Sequence, residues 1–256
     1  MRLFLGLYLS ILSCGVTAQD SGSALHNIPT IELVSFHYPP YHDQSLPNGG
    51  FVSEIVRQAF ITKKYDVKID FNLSRRAFDS AKFNFADGIY MIGHSHEDDT
   101  NFYFSKPILY IKLTLLGLSN NPKLSAKYSS PTQLKILTIA INENSVLPDV
   151  LKDDSFNIET MVDDRSAFWS LLSGKIDLIL VDEGVARYLL ANEFKEQAAK
   201  IMFWSEQSIN QTAQYLAVSR HHPQAKKIIF TFNSGLDALK DSGTYDTIYN
   251  SCEKNS

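Results

Sequence analysis

From position 30 onward the apolar residues follow two alternating rhythms. Ile31 to Phe36 is a short apolar segment closed by Pro39-Pro40, and Val67, Ile69, Phe71 and Leu73 recur at every second position, so both read as strands. Between them Val52, Ile55, Val56, Ala59 and Phe60 repeat at the spacing that lays one apolar stripe along a helix, with Gly49-Gly50 marking its start. Ala77, Phe78 and Ala81 predict a second helix and Ile89 to Ile92 a third strand. The order is β-α-β-α-β, and the helical crossovers are what parallel pairing requires.

A second run of the same type follows Pro131. Leu137 to Ile141 reads as a strand, Val146, Leu147, Val150 and Leu151 as one helical face, and Ala167, Phe168, Leu171 and Leu172 as another. Ile176 to Val181 is almost continuously apolar, with Asp177 near its start and Asp182 at its end, the pattern of a strand covered on both faces. Val185, Ala186, Leu189 and Leu190 resume helical spacing. Tyr215 to Val218 then forms a strand, and Ala225, Ile228, Ile229, Phe232, Leu236 and Leu239 a long closing helix. The chain therefore reads as two α/β units of similar size.

Composition narrows the function classes. Of 256 residues 44% are hydrophobic and 20% charged, enough for a full core and too balanced for disorder. The net charge of −4 comes without any basic block, which argues against a nucleic-acid binder. Met1-Arg2 followed by apolar Leu3 to Leu12, with Val16-Thr17-Ala18 behind it, has the form of a secretory signal peptide cut after Ala18. No later stretch reaches the roughly 18 consecutive apolar residues of a membrane helix. Cleavage would remove Arg2 and Cys14, leaving a net charge of −5 and Cys252 as the single cysteine, so neither an intrachain disulfide nor a cysteine-based zinc cluster is available. Ile11-Leu12-Ser13-Cys14 also resembles a bacterial lipoprotein box, which keeps a lipid anchor at Cys14 as the less favoured alternative.

Four segments carry a family resemblance. Tyr38-Pro39-Pro40-Tyr41 ahead of Gly50-Phe51-Val52-Ser53-Glu54-Ile55 resembles the N-terminal signature of the family 3 extracellular solute-binding proteins, typified by periplasmic amino-acid-binding proteins. Asn84-Phe85-Ala86-Asp87-Gly88 with Phe104-Ser105-Lys106-Pro107, Gly174-Lys175-Ile176-Asp177 with Val181-Asp182, and Gly235-Leu236 with Ser242 to Tyr249 are similar to three further family stretches, in register over nearly the whole mature chain. The resemblance implies the two-lobed type II periplasmic-binding-protein fold, a Venus flytrap in which each lobe is a mostly parallel sheet flanked by helices and two crossover strands act as hinge. Residues 1–18 would be the signal peptide, 19–116 and 214–256 the first lobe, and 117–213 the second. It implies a monomer in the periplasm that binds a small polar solute between the lobes, needs no cofactor, and hands its ligand to an inner-membrane permease of the ABC type or to a sensor.

The ligand-binding residues so implied are Tyr41, Arg76, Gly93, Ser145 and Asp182. Asp182 matches the family aspartate that pairs with an α-ammonium group, and it stands at a strand carboxyl end, where open α/β sheets bind ligands; the plain alternative is a cap on the helix behind it. Tyr41 matches an aromatic that stacks on the ligand, or else packs over the proline turn. Ser145 falls at an expected helix N-terminus, where it would donate to a carboxylate or simply cap, with Asn144 in the family's glycine position. The position of the carboxylate-clamping arginine holds Asp98, within His94-Ser95-His96-Glu97-Asp98-Asp99. An acid there would repel a carboxylate and cannot imitate the guanidinium fork. Arg76, in Ser74-Arg75-Arg76-Ala77, resembles a shifted clamp in divergent members; otherwise the ligand is cationic, or Arg76 is a solvated surface residue. The histidine and acid cluster reads as a solvated loop rather than a metal site.

An enzyme on the same scaffold is the competing reading, because the family includes a periplasmic dehydratase that aromatises cyclic diene acids. Glu183, beside Asp182, is the acid that such chemistry would use.

Overall fold

The computed structural model describes residues 28–94, 100–124, 130–143, 145, 147–204 and 209–253. The signal-peptide region, Cys14, Asp98 and Asn144 lie outside the described residues. So does the histidine and acid cluster, except for His94.

The first unit runs β1 (Thr30–Phe36), α1 (Phe51–Ile61), β2 (Asp66–Asn72), α2 (Ser74–Lys82) and β3 (Gly88–Ile92). β1 pairs in parallel with both β2 and β3, as the β-α-β-α-β pattern requires. β4 (Phe102–Phe104) and β5 (Leu109–Leu118) follow, and then β6 (Thr138–Asn142), β7 (Asn157–Met161), α3 (Asp164–Leu172), β8 (Leu178–Asp182), α4 (Glu183–Asn192) and β9 (Ile201–Phe203). β10 (Asn210–Ser219), α5 (Ala225–Asp241) and α6 (Thr244–Glu253) close the chain. The sheet order is β2-β1-β3-β10-β5-β8-β6-β7, with β4 beside β10 and β9 beside β5.

Two long antiparallel strands tie the units together. Asn210 to Gln214 of β10 pair with Leu113 to Leu109 of β5, after which Tyr215 to Ser219 pair with β3 and β4. In the other direction Leu113 to Gly117 pair with β8 and Leu116 to Leu118 with β9. β10 thus serves both sheets, and β5 links it to β8 and β9 of the second.

The α1 stripe of Val52, Ile55, Val56, Ala59 and Phe60 is fully buried, packing with Ile228, Phe232 and Leu236 of α5. Gly235 lets these helices touch: a Cβ there would stand 1.9 Å from the Ala59 carbonyl oxygen. A second core gathers Leu134, Leu137, Ile139, Leu178, Leu180 and Trp204. All five residues of β8 are buried, as its continuous apolar run predicts. Asp177, just before it, accepts hydrogen bonds from Thr138 N (3.0 Å), Asn121 Nδ2 (3.1 Å) and Lys123 Nζ (2.8 Å).

One expected helix is absent. Val146 lies outside the described residues, and from Leu147 to Leu151 the chain makes only a 3-10 turn, Asp149–Leu151, preceded by Pro148 in extended backbone (φ −57°, ψ 144°). Proline offers no N–H and pushes the residue before it out of the helical region, which outweighs the apolar spacing. β7, β9 and β4 were not legible as strands: β9 and β4 have three residues each, and β7 is an edge strand with mixed exposure. Among the described residues no helix is long and apolar enough to cross a membrane.

Candidate functional site

The turn after β1 places the first residue. Tyr38 N donates to the His42 carbonyl (2.8 Å) and Tyr41 N to the Tyr38 carbonyl (3.1 Å), while Val52 N, in the first turn of α1, donates to the Tyr41 carbonyl (3.0 Å). This docking needs Gly50, at φ +95°, because a Cβ there would lie 2.5 Å from the Tyr41 carbonyl oxygen. The Gly49-Gly50 signature therefore does more than start a helix; it lets the turn seat against α1. His42 anchors the turn from below, with Nδ1 donating to the Phe36 carbonyl (2.7 Å) and Nε2 buried without a partner. Burial pushes its pKa down to about 3, so the ring is neutral.

Tyr41 is then held between Tyr38, stacked at 5.6 Å between ring centroids, and Phe51 at 5.6 Å. Its hydroxyl donates to Asp182 Oδ1 at 2.6 Å. Asp182 ends β8, and its Oδ1 also accepts the Val185 amide at 2.9 Å. It is 2% exposed, and its Oδ2 is buried with no hydrogen-bond partner. The capping alternative for Asp182 is thus realised through Oδ1, while Oδ2 is left over. Gly184 provides the space: a Cβ would meet the Tyr41 hydroxyl at 2.5 Å.

Electrostatics marks the same spot. Burial pushes Asp182 up to about 6 against the bonds from Tyr41 and Val185, and the charge of Asp164 raises it further. Asp164, which accepts from Asn142 Nδ2 at 3.2 Å, is likewise raised to about 6, chiefly by burial. Burial and the Asp182 charge raise both Tyr38 and Tyr41 well above the ordinary tyrosine value, so both hydroxyls remain protonated donors.

The other expected residues are more dispersed. Gly93 follows β3, where a Cβ would face Thr212 and Gln214 at 3.8 and 4.0 Å on the strand shared by the two sheets. Ser145 lies in the turn after β6, its amide donating to the Asn142 carbonyl at 2.9 Å, and not at a helix N-terminus as expected, because no helix forms there. Arg76 is exposed in the first turn of α2 and is not drawn into the Tyr41 and Asp182 contact. Sequence reasoning passed over Tyr38, His42, Asp164 and Gly184. Asp164 had one signal, the Asp163-Asp164 pair at a helix start, which looks like ordinary capping; Asp163 alone provides the cap, accepting Ser166 N at 2.7 Å.

A separate cavity of about 620 Å³ lies by the strands that join the units, lined by Lys106, Tyr110, Lys112, Lys240, Tyr245 and Tyr249. The Tyr41 and Asp182 pair is not part of its wall. Among the described residues no group of three or more His, Cys, Asp or Glu could hold a metal ion.

The geometry of two α/β sheets joined through the antiparallel pair β5 and β10 has counterparts among solved structures. An amino acid ABC transporter substrate-binding protein from Streptococcus pneumoniae, bound to L-arginine, superposes with a TM-score of 0.70 at 17% identity, over 88% of this chain and 94% of that one. The chain has the type II periplasmic-binding-protein fold. A histidine kinase sensor domain with similarity to periplasmic binding proteins shares this fold at a TM-score of 0.72 and 19% identity, over 87% of this chain and 95% of that one. Among curated proteins, a probable histidine-binding protein from Campylobacter jejuni is 24% identical over 253 residues, 96% of this chain and 93% of that protein. No protein-family model matches the chain. The resemblance to family 3 solute-binding proteins, read from four motifs, is borne out by these relatives as that of a divergent member.

Proposed function

We propose that this periplasmic-binding-fold protein is an extracytoplasmic receptor that captures a small polar, amine-bearing or amino-acid-like solute between two lobes. One observation carries the reading: the Tyr41 to Asp182 bond spans the two sheets and leaves Asp182 Oδ2 buried and unpartnered. A buried carboxylate oxygen without a donor is costly, and an ammonium group would satisfy it. The names of the relatives agree with such a ligand, since histidine and L-arginine both carry an α-amino group.

In this reading Asp182 binds the amine and Tyr41 covers the solute on closure. Gly93 and Ser145 line the cleft at the carboxyl ends of β3 and β6, and Arg76 stands at its rim to meet a carboxylate. The lobes comprise 19–116 with 214–256, and 117–213, the crossing strands acting as hinge. Export through residues 1–18 to the periplasm, action as a monomer, and delivery to an inner-membrane permease or a sensor complete the proposal. The test is a thermal-shift screen of the purified chain against amino acids, polyamines, short peptides, quaternary amines and organic acids. A saturable rise with amine-bearing compounds is expected, because a ligand that binds only the folded state stabilises it. A response confined to organic acids lacking nitrogen would overturn it.

The acid of the dehydratase alternative is held in a surface ion pair. Glu183 Oε1 accepts both Nε (3.0 Å) and Nη2 (2.6 Å) of Arg187 along α4, an i,i+4 pair on the helix surface. The comparisons favour a binding protein over that enzyme.

A further inference from the structure

Asp182 has an acidic neighbour that the proposed amine site does not require. β6 lies beside β8 with Ile141 opposite Leu180, so Asn142 and Asp182 end adjacent strands on one edge of the sheet. Asn142 Nδ2 holds Asp164 Oδ2 at 3.2 Å from that edge, and Asp164 is near enough for its charge to act on both Asp182 and Tyr38.

Among the described residues neither acid has an ion-pair partner. Arg165, next in sequence, donates Nε and Nη2 to the two carboxylate oxygens of Glu193, each at 2.6 Å, and its charge lowers Asp164 less than burial and the Asp163 charge raise it. Arg187 is committed to Glu183. Among the described residues no lysine, arginine or histidine forms an ion pair with Asp164 or Asp182, and Asp182 Oδ2, in a residue 2% exposed, accepts nothing. Like charges in a partly desolvated place repel strongly, and a single ammonium offsets only one of them.

We propose that Asp164 is a specificity-determining residue: with Asp182 it forms a two-carboxylate subsite that selects a solute bearing two cationic nitrogens, a basic amino acid or a diamine. This deepens the reading of Asp182 as an amine partner and rests on it. Discrimination comes from the pair left uncompensated when a neutral analogue binds, a penalty against the wrong ligand as much as an attraction to the right one.

The experiment is isothermal titration of the purified chain at pH 7.5 with three matched pairs: L-lysine and L-norleucine, L-arginine and L-citrulline, putrescine and n-butylamine. At least one compound with two cationic nitrogens is expected to bind about 30-fold or more tightly than its partner with one, the scale of leaving one buried charge unpaired. Asp164→Asn, which keeps the shape and the acceptor for Asn142, is expected to reduce that ratio to within about threefold without weakening the analogue. Equal binding within every wild-type pair overturns the subsite while leaving the amine receptor standing, as does a ratio that Asp164→Asn leaves unchanged. Absence of binding by all six compounds, together with a thermal-shift response only to nitrogen-free acids, overturns both.

Discussion

The Tyr41 hydroxyl donates to Asp182 Oδ1 across 141 residues of sequence, at 2.6 Å, joining the turn after β1 to the end of β8. The bond closes one sheet upon the other and aligns a buried aromatic stack with a buried carboxylate. A receptor that binds by closure would place its ligand contacts on such a seam.

Asp182→Asn separates charge from structure. Asparagine caps helices about as well as aspartate, so the unliganded protein should fold with nearly unchanged stability. The amine partner is lost, and affinity for an amine-bearing ligand should fall by about 2 kcal/mol or more. Titration calorimetry on the variant checks this, and undiminished binding would remove Asp182 from the site.

Gly184→Ala tests closure itself. On an exposed helix the change would add about 1 kcal/mol of stability through helix propensity. Here the new Cβ would sit 2.5 Å from the Tyr41 hydroxyl and 3.2 Å from Asp182 Oδ1. Overpacking of this kind costs about 1 to 3 kcal/mol, so the closed form should lose and ligand affinity should drop while the unliganded Tm holds or rises. Thermal melts with and without ligand separate the two effects.

The pH dependence has a definite sign. Asp182 and Asp164, raised to about 6, bind more protons folded than unfolded between about pH 4 and 6. Their contribution to stability is complete below about pH 4 and is lost as the pH rises through 6. His42, held neutral with a pKa of about 3, works oppositely, its contribution growing as the pH rises from 3 towards 6.5. The acids are therefore read from the difference between wild type and Asp182→Asn: the wild-type advantage in Tm should shrink between pH 4 and 7. Affinity for a cationic ligand should rise over the same interval.

Gly235→Ala reports on the first core. Its Cβ would enter the Ala59 carbonyl at 1.9 Å, and only separation of α1 and α5 relieves that. A loss of about 3 kcal/mol is expected, seen as a lower urea midpoint with an unchanged m-value. A midpoint equal to wild type would show that the helices part freely.

Asp177→Asn separates a structural acid from the binding acids. Burial alone would raise Asp177, but the bonds from Lys123, Thr138 and Asn121 outweigh it and hold the carboxyl below its usual range. Its stabilisation is present at neutral pH and is lost as the pH falls through that lowered value. The variant should lose about 1 to 3 kcal/mol at pH 7 and less in acid, with ligand affinity unchanged. Urea titrations at two pH values and calorimetry at pH 7 measure both.

Local pattern revealed most of the fold and part of the site. The α1 stripe, the buried run of β8 and the closing helix were legible because one buried face imposes period 3.6 or 2 on its own segment. Asp182 was legible for a related reason, since an acid ending a fully apolar strand is conspicuous. The spacing of Val146, Leu147, Val150 and Leu151 misled because one proline overrides a periodic pattern, and β7 escaped because an edge strand with little burial carries little alternation.

The sequence by itself thus determined the α/β alternation, the two units and the acid at the end of β8, all consequences of which side chains avoid water. Only the tertiary structure decided that Tyr41 reaches Asp182, that Gly184 clears its path, that the charge of Asp164 reaches Asp182 with no ion-pair partner for either acid among the described residues, and that His42 holds the turn. The Tyr41 to Asp182 contact joins residues 141 positions apart. Local periodicity records that a face is buried, and the crossing of β5 and β10 determines what it is buried against.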